Sequence, residues 1–311
     1  MRILVLPPVN NSHKATLEEA APGAEFVYSS PAEVNETQVE DVDVIFGNVR
    51  PPLLGAASRL RLLQLNSAGY DKYVACGTVP AGCALCCATG AYGQAVSEHL
   101  FASALCLMKK LPSYRDLQRE HTWGDLGEVR SPAGANVLVL GAGDIGTHVA
   151  RLFSGVGAHV CGVRRARVAA EPPFERMATM DELPGLLACA DVVCSVLPST
   201  PATRGLASGE FFGAMKPGAY FCNAGRGDLV DQAALVAALE SGHLAGAALD
   251  VCSPEPLPEG DALWDAPNLL LTPHISGFYH LPVTLDNIVA IAAENLAHLA
   301  AGEPLRNHVE F

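Results

Sequence analysis

Three polar residues in the second half of the chain have the types that an acid/base site needs, and each follows a short apolar run. Those runs are Ala219–Cys222 before Arg226, Ala247–Val251 before Glu255 and Leu269–Leu271 before His274. A histidine exchanges protons near neutral pH, and a carboxylate beside it favours the charged imidazole and fixes its orientation. An arginine fork matches the two oxygens of a carboxylate. The set therefore predicts proton transfer to a substrate that carries a carboxylate.

We assign His274 as the acid/base, Glu255 as its partner and Arg226 as the substrate anchor. Taken singly, each has a structural alternative. The histidine would cap a strand, the glutamate would be an exposed loop residue between two prolines, and the arginine would contact a neighbouring domain. Loops at the carboxyl ends of parallel strands are where doubly wound sheets bind ligands, so the joint placement of the three residues favours a site.

A glycine-rich turn lies upstream of these residues, in NVLVLGAGDIGTHVA. It reads as a strand, then Gly141-x-Gly143-x-x-Gly146, then a helix. Gly141 permits a tight turn, Gly143 lets a pyrophosphate approach the backbone, and Gly146 lets the helix pack on the strand. The phosphates would lie at the helix N-terminus, where amide donors have no partner within the helix. We therefore predict dinucleotide binding by Gly141, Gly143, Asp144, Ile145 and Gly146.

The next strand-like run ends in arginines, in HVCGVRRARV. Dinucleotide-binding units usually carry a carboxylate there, which accepts hydrogen bonds from the ribose 2′-hydroxyl. Arg164 occupies that position, Arg165 follows it, and the next carboxylate is Glu171. Because a guanidinium matches phosphate oxygens, the pair predicts a preference for NADP(H), with NAD(H) left open. The alternative is that both arginines only cap the strand in solvent. Arg167 stays unassigned.

A dinucleotide beside the acid/base set predicts hydride transfer to a 2-oxo acid. Reduction builds negative charge on the carbonyl oxygen, which His274 protonates while Arg226 holds the carboxylate and polarises the carbonyl. A methyltransferase with a similar glycine turn is a competing class. It would need a carboxylate where Arg164 stands, and it would have no use for Arg226, Glu255 and His274.

The elements that position these residues are short apolar runs alternating with helical patterns, in two regions. The first region contains Ile3–Leu6, Val42–Phe46, Leu62–Leu65 and Ala84–Cys87; the second contains Val137–Leu140, Val160–Val163, Val192–Val196, Ala219–Cys222, Ala247–Val251 and Leu269–Leu271. Helices are predicted at Gln94–Met108, Ile145–Phe153, Gln232–Glu240 and Asp286–Ala300, and a long loop at Glu120–Gly134. The pattern predicts an α/β protein with two doubly wound parallel-sheet domains joined by two helices.

Composition narrows the class of protein. The net charge of −13 argues against nucleic acid and anionic membranes as partners. The most apolar stretch, Ala95–Met108, is too short to span a bilayer. Ten cysteines are scattered through apolar runs, and the motif Cys83-x-x-Cys86-Cys87 lacks the second ligand pair of a zinc site. We predict no metal, free thiols and a cytoplasmic location.

Taken together, the motifs VLGAGDIG, VCSVLPSTPATRGL, MKPGAYFCNAGRGDLVD, ALDVCSPEPLP, LWDAPNLLLTPHISG and LQLNSAGYDKY are recognisable. The chain that carries these motifs resembles the D-isomer-specific 2-hydroxyacid dehydrogenases, which include glyoxylate/hydroxypyruvate reductases and phosphoglycerate dehydrogenase. The resemblance implies a Rossmann NAD(P)-binding domain at residues 100–280 and a discontinuous flavodoxin-like substrate domain at residues 1–99 plus 281–311. It also implies a homodimer through the cofactor domains.

The same resemblance implies further site residues. The backbone amides of Ser67, Ala68 and Gly69 would bind the substrate carboxylate. Residues running beside the cofactor, or facing its nicotinamide ribose and carboxamide, would be Leu197, Pro198, Thr203, Ala224, Asp250 and Gly277.

Substrate and activity stay open at this point. Hydroxypyruvate, glyoxylate, phosphoglycerate, ketopantoate and branched or aromatic 2-oxo acids are all compatible with the motifs. Tyr70, Tyr92 and Trp123 are either walls of the side-chain pocket or core and interface aromatics. The alternatives are an NAD-dependent D-2-hydroxyacid or phosphoglycerate dehydrogenase, and a catalytically silent corepressor-like family member.

Overall fold

The computed structural model describes residues 1–310, and over these residues the chain divides into two compact units. The first unit is Met1–Tyr92 together with the segment from Tyr279 onward, and the second is Gly93–Phe278. The sequence-based boundaries, after residues 99 and 280, lie a few residues further along the chain. The difference arises because the long helix that begins at Gly93 packs against other elements of the second unit.

Strands and helices alternate along the described residues. The strands are β1 (Arg2–Val5), β2 (Glu25–Tyr28), β3 (Val44–Phe46), β4 (Leu62–Gln64), β5 (Ala84–Cys86), β6 (Asn136–Leu140), β7 (His159–Arg164), β8 (Arg176–Thr179), β9 (Val192–Ser195), β10 (Ala219–Asn223), β11 (Leu244–Leu249) and β12 (Leu269–Leu271). The helices are α1 (Asn11–Ala20), α2 (Glu36–Glu40), α3 (Asp71–Cys76), α4 (Gly93–Met108), α5 (Leu111–Arg119), α6 (Asp144–Gly155), α7 (Leu183–Leu187), α8 (Gly209–Ala214), α9 (Gln232–Glu240) and α10 (Pro282–Ala301).

Each unit contains one parallel sheet. The first sheet has the order β2-β1-β3-β4-β5, and the second has the order β12-β11-β10-β9-β6-β7-β8. The predicted class of two parallel-sheet α/β domains is confirmed. Strands β2 and β8 were not predicted. Each lies at a sheet edge and begins with an exposed charged residue, and β8 has only two apolar residues, Met177 and Ala178.

The centre of the second sheet is fully buried. Every residue of β9 and β10 is buried, as expected for a parallel sheet with both faces covered. Phe211 and Phe212 of α8 pack edge-to-face on Phe221 of β10, with ring centroids 5.9 and 5.4 Å away. This rigid packing holds the strand ends from which the polar loops emerge.

The strand order of the second sheet brings the polar loops together at the carboxyl ends of its strands. Strands β6 and β9 are neighbours although β7 and β8 lie between them in sequence, so the chain reverses direction across the sheet at this point. Such a reversal leaves a crevice at the carboxyl ends of the strands, where doubly wound sheets bind ligands. The glycine turn follows β6, and the loops bearing Arg226, Glu255 and His274 follow β10, β11 and β12.

The segment after α4 contains a helix that was not predicted. Helix α4 ends at Met108, and Pro112 lies in the first turn of α5, where a missing backbone N–H costs nothing. The loop Glu120–Gly134 follows without regular secondary structure, and Trp123 in it is fully exposed. Among residues 1–310, no helix combines the length and apolar character needed to cross a bilayer.

A buried amide closes the first unit around its C-terminal segment. Asn295 of α10 is fully buried. Its Nδ2 donates to Oε1 of Gln64 at 2.6 Å and to the carbonyl of Arg306 at 3.0 Å, and its Oδ1 accepts from the N–H of Arg306 at 2.7 Å. Three hydrogen bonds therefore depend on one side chain in a site where water cannot replace it.

We expect Asn295→Ala to lower the free energy of unfolding of the first unit by about 3 kcal/mol, because it leaves buried polar groups without partners. The measurement is urea denaturation followed by far-ultraviolet circular dichroism. Glu294→Gln is the matched control, since it removes only the partly exposed ion pair with Arg306 and should change the stability by less than about 1 kcal/mol. Equal effects of the two substitutions would contradict this account of Asn295.

Candidate active site

His274 and Glu255 lie side by side in the second unit. Nδ1 of His274 is 2.9 Å from Oε2 of Glu255, and the other oxygen of Glu255 accepts the N–H of Cys252 at 3.1 Å. Because an ionised carboxylate only accepts hydrogen bonds, Nδ1 is the protonated nitrogen. The pairing leaves Nε2 as the nitrogen through which His274 can exchange a proton with a ligand.

The loop around His274 is held by Asp250, whose side chain is buried. Oδ1 of Asp250 accepts the Thr272 hydroxyl at 2.6 Å and the N–H of Ile275 at 2.9 Å, and Oδ2 accepts the N–H of Ser276 at 3.0 Å. The backbone N–H of His274 donates to the carbonyl of Asp250 at 2.7 Å. These bonds support a left-handed backbone at His274, with φ of 54°, which costs a non-glycine residue roughly 1 kcal/mol.

Arg226 is positioned by a loop that only glycines allow. A Cβ on Gly225 would lie 2.5 Å from the carbonyl oxygen of Leu197, and a Cβ on Gly227 would collide with the carbonyl of Cys252. The loop therefore packs directly on the segments that follow β9 and β11. Asn223 also closes it, since its Nδ2 donates to the carbonyl of Arg226 at 2.9 Å and its Oδ1 accepts the N–H of Gly225.

The glycine turn between β6 and α6 has the geometry that a phosphate requires. Gly141 has φ of 96°, and a Cβ on Gly146 would collide with the Gly141 carbonyl, so helix and strand approach closely. A Cβ on Gly143 would meet no atom within 4 Å, and no side chain caps α6 at Gly143. Open backbone and uncapped amides at a helix N-terminus fit the pyrophosphate of a dinucleotide.

Arg164 lies against this turn from the end of β7. Its Nε donates to the carbonyl of Ala142 at 2.5 Å, and Arg165 beside it is exposed. Arg167, which the sequence left unassigned, forms an ion pair with Glu182 at 3.2 Å. One guanidinium is thus held beside the glycine turn, while Arg167 is paired with a carboxylate.

The segment after β9 forms a compact turn. Oγ1 of Thr203 donates to the carbonyl of Pro198 at 2.6 Å and accepts the N–H of Thr200 at 2.9 Å. Leu197 lies next to Gly141 of the glycine turn, as expected for segments that follow neighbouring strands. Ala224 and Gly277 are partly exposed in the loops after β10 and β12.

In the first unit, two asparagines hold the Ser67–Gly69 loop. The N–H of Asn48 donates to Oδ1 of Asn66 at 2.6 Å, and the N–H of Asn66 donates to Oδ1 of Asn48 at 3.2 Å. The Ser67 hydroxyl lies 2.7 Å from the carbonyl of Gly69. Asn48 and Asn66 were not predicted, although the signal that identified His274 applies to both: a polar residue shortly after an apolar run.

The aromatic candidates have different environments. Tyr92 is buried, and its hydroxyl donates to the carbonyl of Asn66. Burial raises the pKa of Tyr279 to about 12, and the hydroxyl of Tyr279 accepts a hydrogen bond from Nδ2 of Asn66 at 2.6 Å. Burial also raises the pKa of Tyr92, so both phenols are neutral at physiological pH. Tyr70 and Trp123 are exposed.

Burial keeps several of the thiols in their neutral form. Burial raises the pKa of Cys83 to about 11 and of Cys86 to about 12. Burial, and then the charge of Glu255, raise the pKa of Cys252, so its nucleophilic thiolate form is scarce. Across residues 1–310, no cluster of three or more histidine, cysteine or acidic side chains is arranged to hold a metal ion.

Comparison with known proteins gives consistent matches. The model of the NAD-binding domain of D-isomer specific 2-hydroxyacid dehydrogenases matches residues 101–276. Glyoxylate/hydroxypyruvate reductase A of Salmonella newport is 32% identical over 218 residues, which are 70% of this chain and 68% of that protein.

Two solved structures extend the match to nearly the whole chain. A D-isomer specific 2-hydroxyacid dehydrogenase family protein from Aeromonas salmonicida superposes with a TM-score of 0.87 at 32% identity, covering 99% of this chain and 98% of that one. A D-isomer specific 2-hydroxyacid dehydrogenase from Xanthobacter autotrophicus Py2, solved with NADPH and MES, gives 0.83 at 31% identity with the same coverage. These matches confirm the resemblance seen in the sequence motifs.

Proposed function

The chain belongs to the D-isomer specific 2-hydroxyacid dehydrogenase family, and we propose that it reduces a 2-oxo acid to the D-2-hydroxy acid with NADPH. The observation that carries this proposal is the hydrogen bond between His274 and Glu255. It lies at the carboxyl ends of the strands in the second sheet, where the Arg226 loop and the glycine turn also begin. NADPH, when bound, would supply the hydride.

In the proposed reaction, His274 is the proton donor. Glu255 accepts the hydrogen bond from Nδ1 and fixes the ring, so the second proton of the charged imidazole lies on Nε2, from which it passes to the substrate's carbonyl oxygen. Asp250 keeps the histidine in its left-handed backbone conformation. In the reverse direction the same nitrogen takes the proton from the 2-hydroxyl group.

Arg226 is proposed to bind the substrate carboxylate and to polarise the carbonyl. The backbone of its loop is fixed by glycine contacts that tolerate no side chain, and Nη1 of Arg226 donates to the carbonyl of Gly225 at 2.8 Å. We also propose the backbone amides of Ser67, Ala68 and Gly69 as substrate contacts. Support for this loop comes from the reciprocal hydrogen bonds of Asn48 and Asn66.

For the cofactor we propose NADP(H) in preference to NAD(H). Arg164, held against the glycine turn, and the exposed Arg165 would bind the 2′-phosphate. The NADPH in the Xanthobacter structure supports this choice. The other cofactor contacts are proposed at Gly141, Gly143, Asp144, Ile145, Gly146, Leu197, Pro198, Thr203, Ala224, Asp250 and Gly277.

The substrate is proposed to be a small 2-oxo acid, with glyoxylate and hydroxypyruvate first. The Salmonella relative bears both names. Tyr92, one of the aromatic residues that would indicate a bulky substrate, is buried in the first unit with its hydroxyl bonded to Asn66. A panel of 2-oxo acids with NADPH and NADH, followed by nicotinamide absorbance, tests the function. Turnover of none of them would favour the corepressor-like alternative.

We also propose a cytoplasmic homodimer formed through the second unit. All ten cysteines are free, which suits a reducing compartment. The stretch that includes α5 and the long loop exposes Leu111, Trp123 and Val129. A fully exposed tryptophan is rare on a monomer and frequent in interfaces.

His274→Ala should lower kcat for 2-oxo acid reduction by about 10²- to 10⁴-fold, because the proton donor is lost, while NADPH still binds. Glu255→Gln should also lower kcat, because Nδ1 of His274 loses the carboxylate that orients the imidazole ring. His159→Ala is the matched control, since His159 forms an exposed pair with Glu175 at 3.0 Å. Steady-state kinetics from pH 6 to pH 9 measure all three. Full activity of His274→Ala would exclude the mechanism.

Replacing both Arg164 and Arg165 by alanine should reduce the ratio of kcat/KM for NADPH over NADH by about tenfold or more, since charge-assisted bonds to the 2′-phosphate are lost. Arg167→Ala should leave that ratio unchanged, because Arg167 is paired with Glu182. The comparison uses one 2-oxo acid at saturation and varies each cofactor. A preference for NADH in the unchanged protein would contradict the assignment.

The dimer predicts a solution mass of twice the 32.5 kDa chain. Trp123→Glu should shift the mass toward the monomer, because a charge replaces an apolar contact in the interface. Trp264→Glu, at the other exposed tryptophan, is the control that should leave the mass unchanged. Light scattering after gel filtration gives the masses. A monomeric unchanged protein would rule the dimer out.

A further inference from the structure

A histidine outside the proposed catalytic set is connected to the His274 loop. Nε2 of His99, on helix α4, is 3.1 Å from Oγ1 of Thr272 and 3.9 Å from Oδ1 of Asp250. The side chain of His99 is mostly buried, and that of Asp250 almost wholly. All three residues belong to the second unit.

The direction of each hydrogen bond follows from the donors available. Asp250 accepts the N–H groups of Ile275 and Ser276, so its oxygens act as acceptors. The hydroxyl of Thr272 has one proton, and it lies 2.6 Å from Oδ1 of Asp250. Thr272 therefore gives its proton to Asp250 and accepts from His99, which requires the proton on Nε2.

The result is a directed chain from His99 to Thr272 to Asp250. Asp250 binds the backbone on both sides of His274, through Thr272 before it and through Ile275 and Ser276 after it. Without the donor at residue 99, the Thr272 hydroxyl keeps its bond to Asp250 but loses its second partner, so its orientation is less restricted. The loop would then lose part of the support for its left-handed residue.

We propose that His99 is a positioning residue for proton transfer by His274, acting through Thr272 and Asp250. The inference rests on the proposed reduction of 2-oxo acids, because proton transfer is the step that it affects. A purely structural role for His99 is the competing explanation, since α4 packs on α6, β10 and β11. The two explanations differ in whether the Nε2–H donor or only the volume of the ring matters.

The test compares His99→Gln with His99→Leu in 2-oxo acid reduction. A glutamine side chain can bring an N–H donor close to the place of Nε2, whereas leucine fills space without a donor. We expect His99→Leu to lower kcat between about tenfold and a hundredfold, the size of effect that a small displacement of a reacting group produces. His99→Gln should stay within about threefold of the unchanged protein, and NADPH binding should be the same in both. Glu98→Gln, at an exposed residue of the same helix, is the control and should keep full kcat.

A double-mutant cycle with Thr272→Val separates the relay from general damage. If His99 acts through Thr272, His99→Leu should cost little further kcat once Thr272 has become valine. Additive losses, equal impairment of His99→Gln and His99→Leu, or full kcat of His99→Leu would each overturn the inference. If the unchanged protein shows no turnover, both the proposed function and this inference are overturned. If the unchanged protein is active and His99→Leu is equally active, only the inference is overturned. If His99→Leu does not fold, Thr272→Val becomes the test. The inference then requires that Thr272→Val lower kcat, and full kcat of this variant would overturn it.

Discussion

The second unit depends on one buried carboxylate at the end of its sheet. Asp250 directly follows β11, and its two oxygens hold the backbone of the loop that follows β12. Burying a charge is unfavourable unless it is compensated by hydrogen bonds, and here backbone N–H groups and a hydroxyl provide them. The bonds that stabilise the carboxylate also fix the backbone of His274. Stability and the orientation of the proposed acid/base therefore have the same origin.

Close backbone packing is the second constraint. Gly225, Gly227 and Gly146 each lie where a side chain would collide with a neighbouring carbonyl. The loops at the strand ends are therefore in direct contact, which restricts the position of each loop relative to the next. This explains why the polar residues that the loops carry can stay aligned although they come from separate strands.

Much of the fold was predictable because buried parallel strands appear in the sequence as runs of apolar residues. Strand β10 was predicted from such a run, and helix α9 from its helical spacing of apolar residues. Strands β2 and β8 lie at sheet edges and begin with exposed charged residues, so their apolar signal is weaker. The pairing of Glu255 with His274 was expected from the chemistry of the two side chains and from their positions after predicted strands. The contacts of Asp250 and His99 were not expected, because they depend on side-chain directions in a bent loop and on a largely apolar helix.

The hydrogen bond from Arg164 to the carbonyl of Ala142 has a consequence for selectivity. A long flexible side chain normally loses rotational entropy when it binds a ligand. In Arg164 part of that entropy loss occurs on folding, because Nε already forms a hydrogen bond with the glycine turn. Discrimination between two cofactors that differ by a single phosphate would then rest on the fixed shape of the guanidinium as well as on its charge. A lysine, which has no second nitrogen to anchor the stem, offers the charge without the shape.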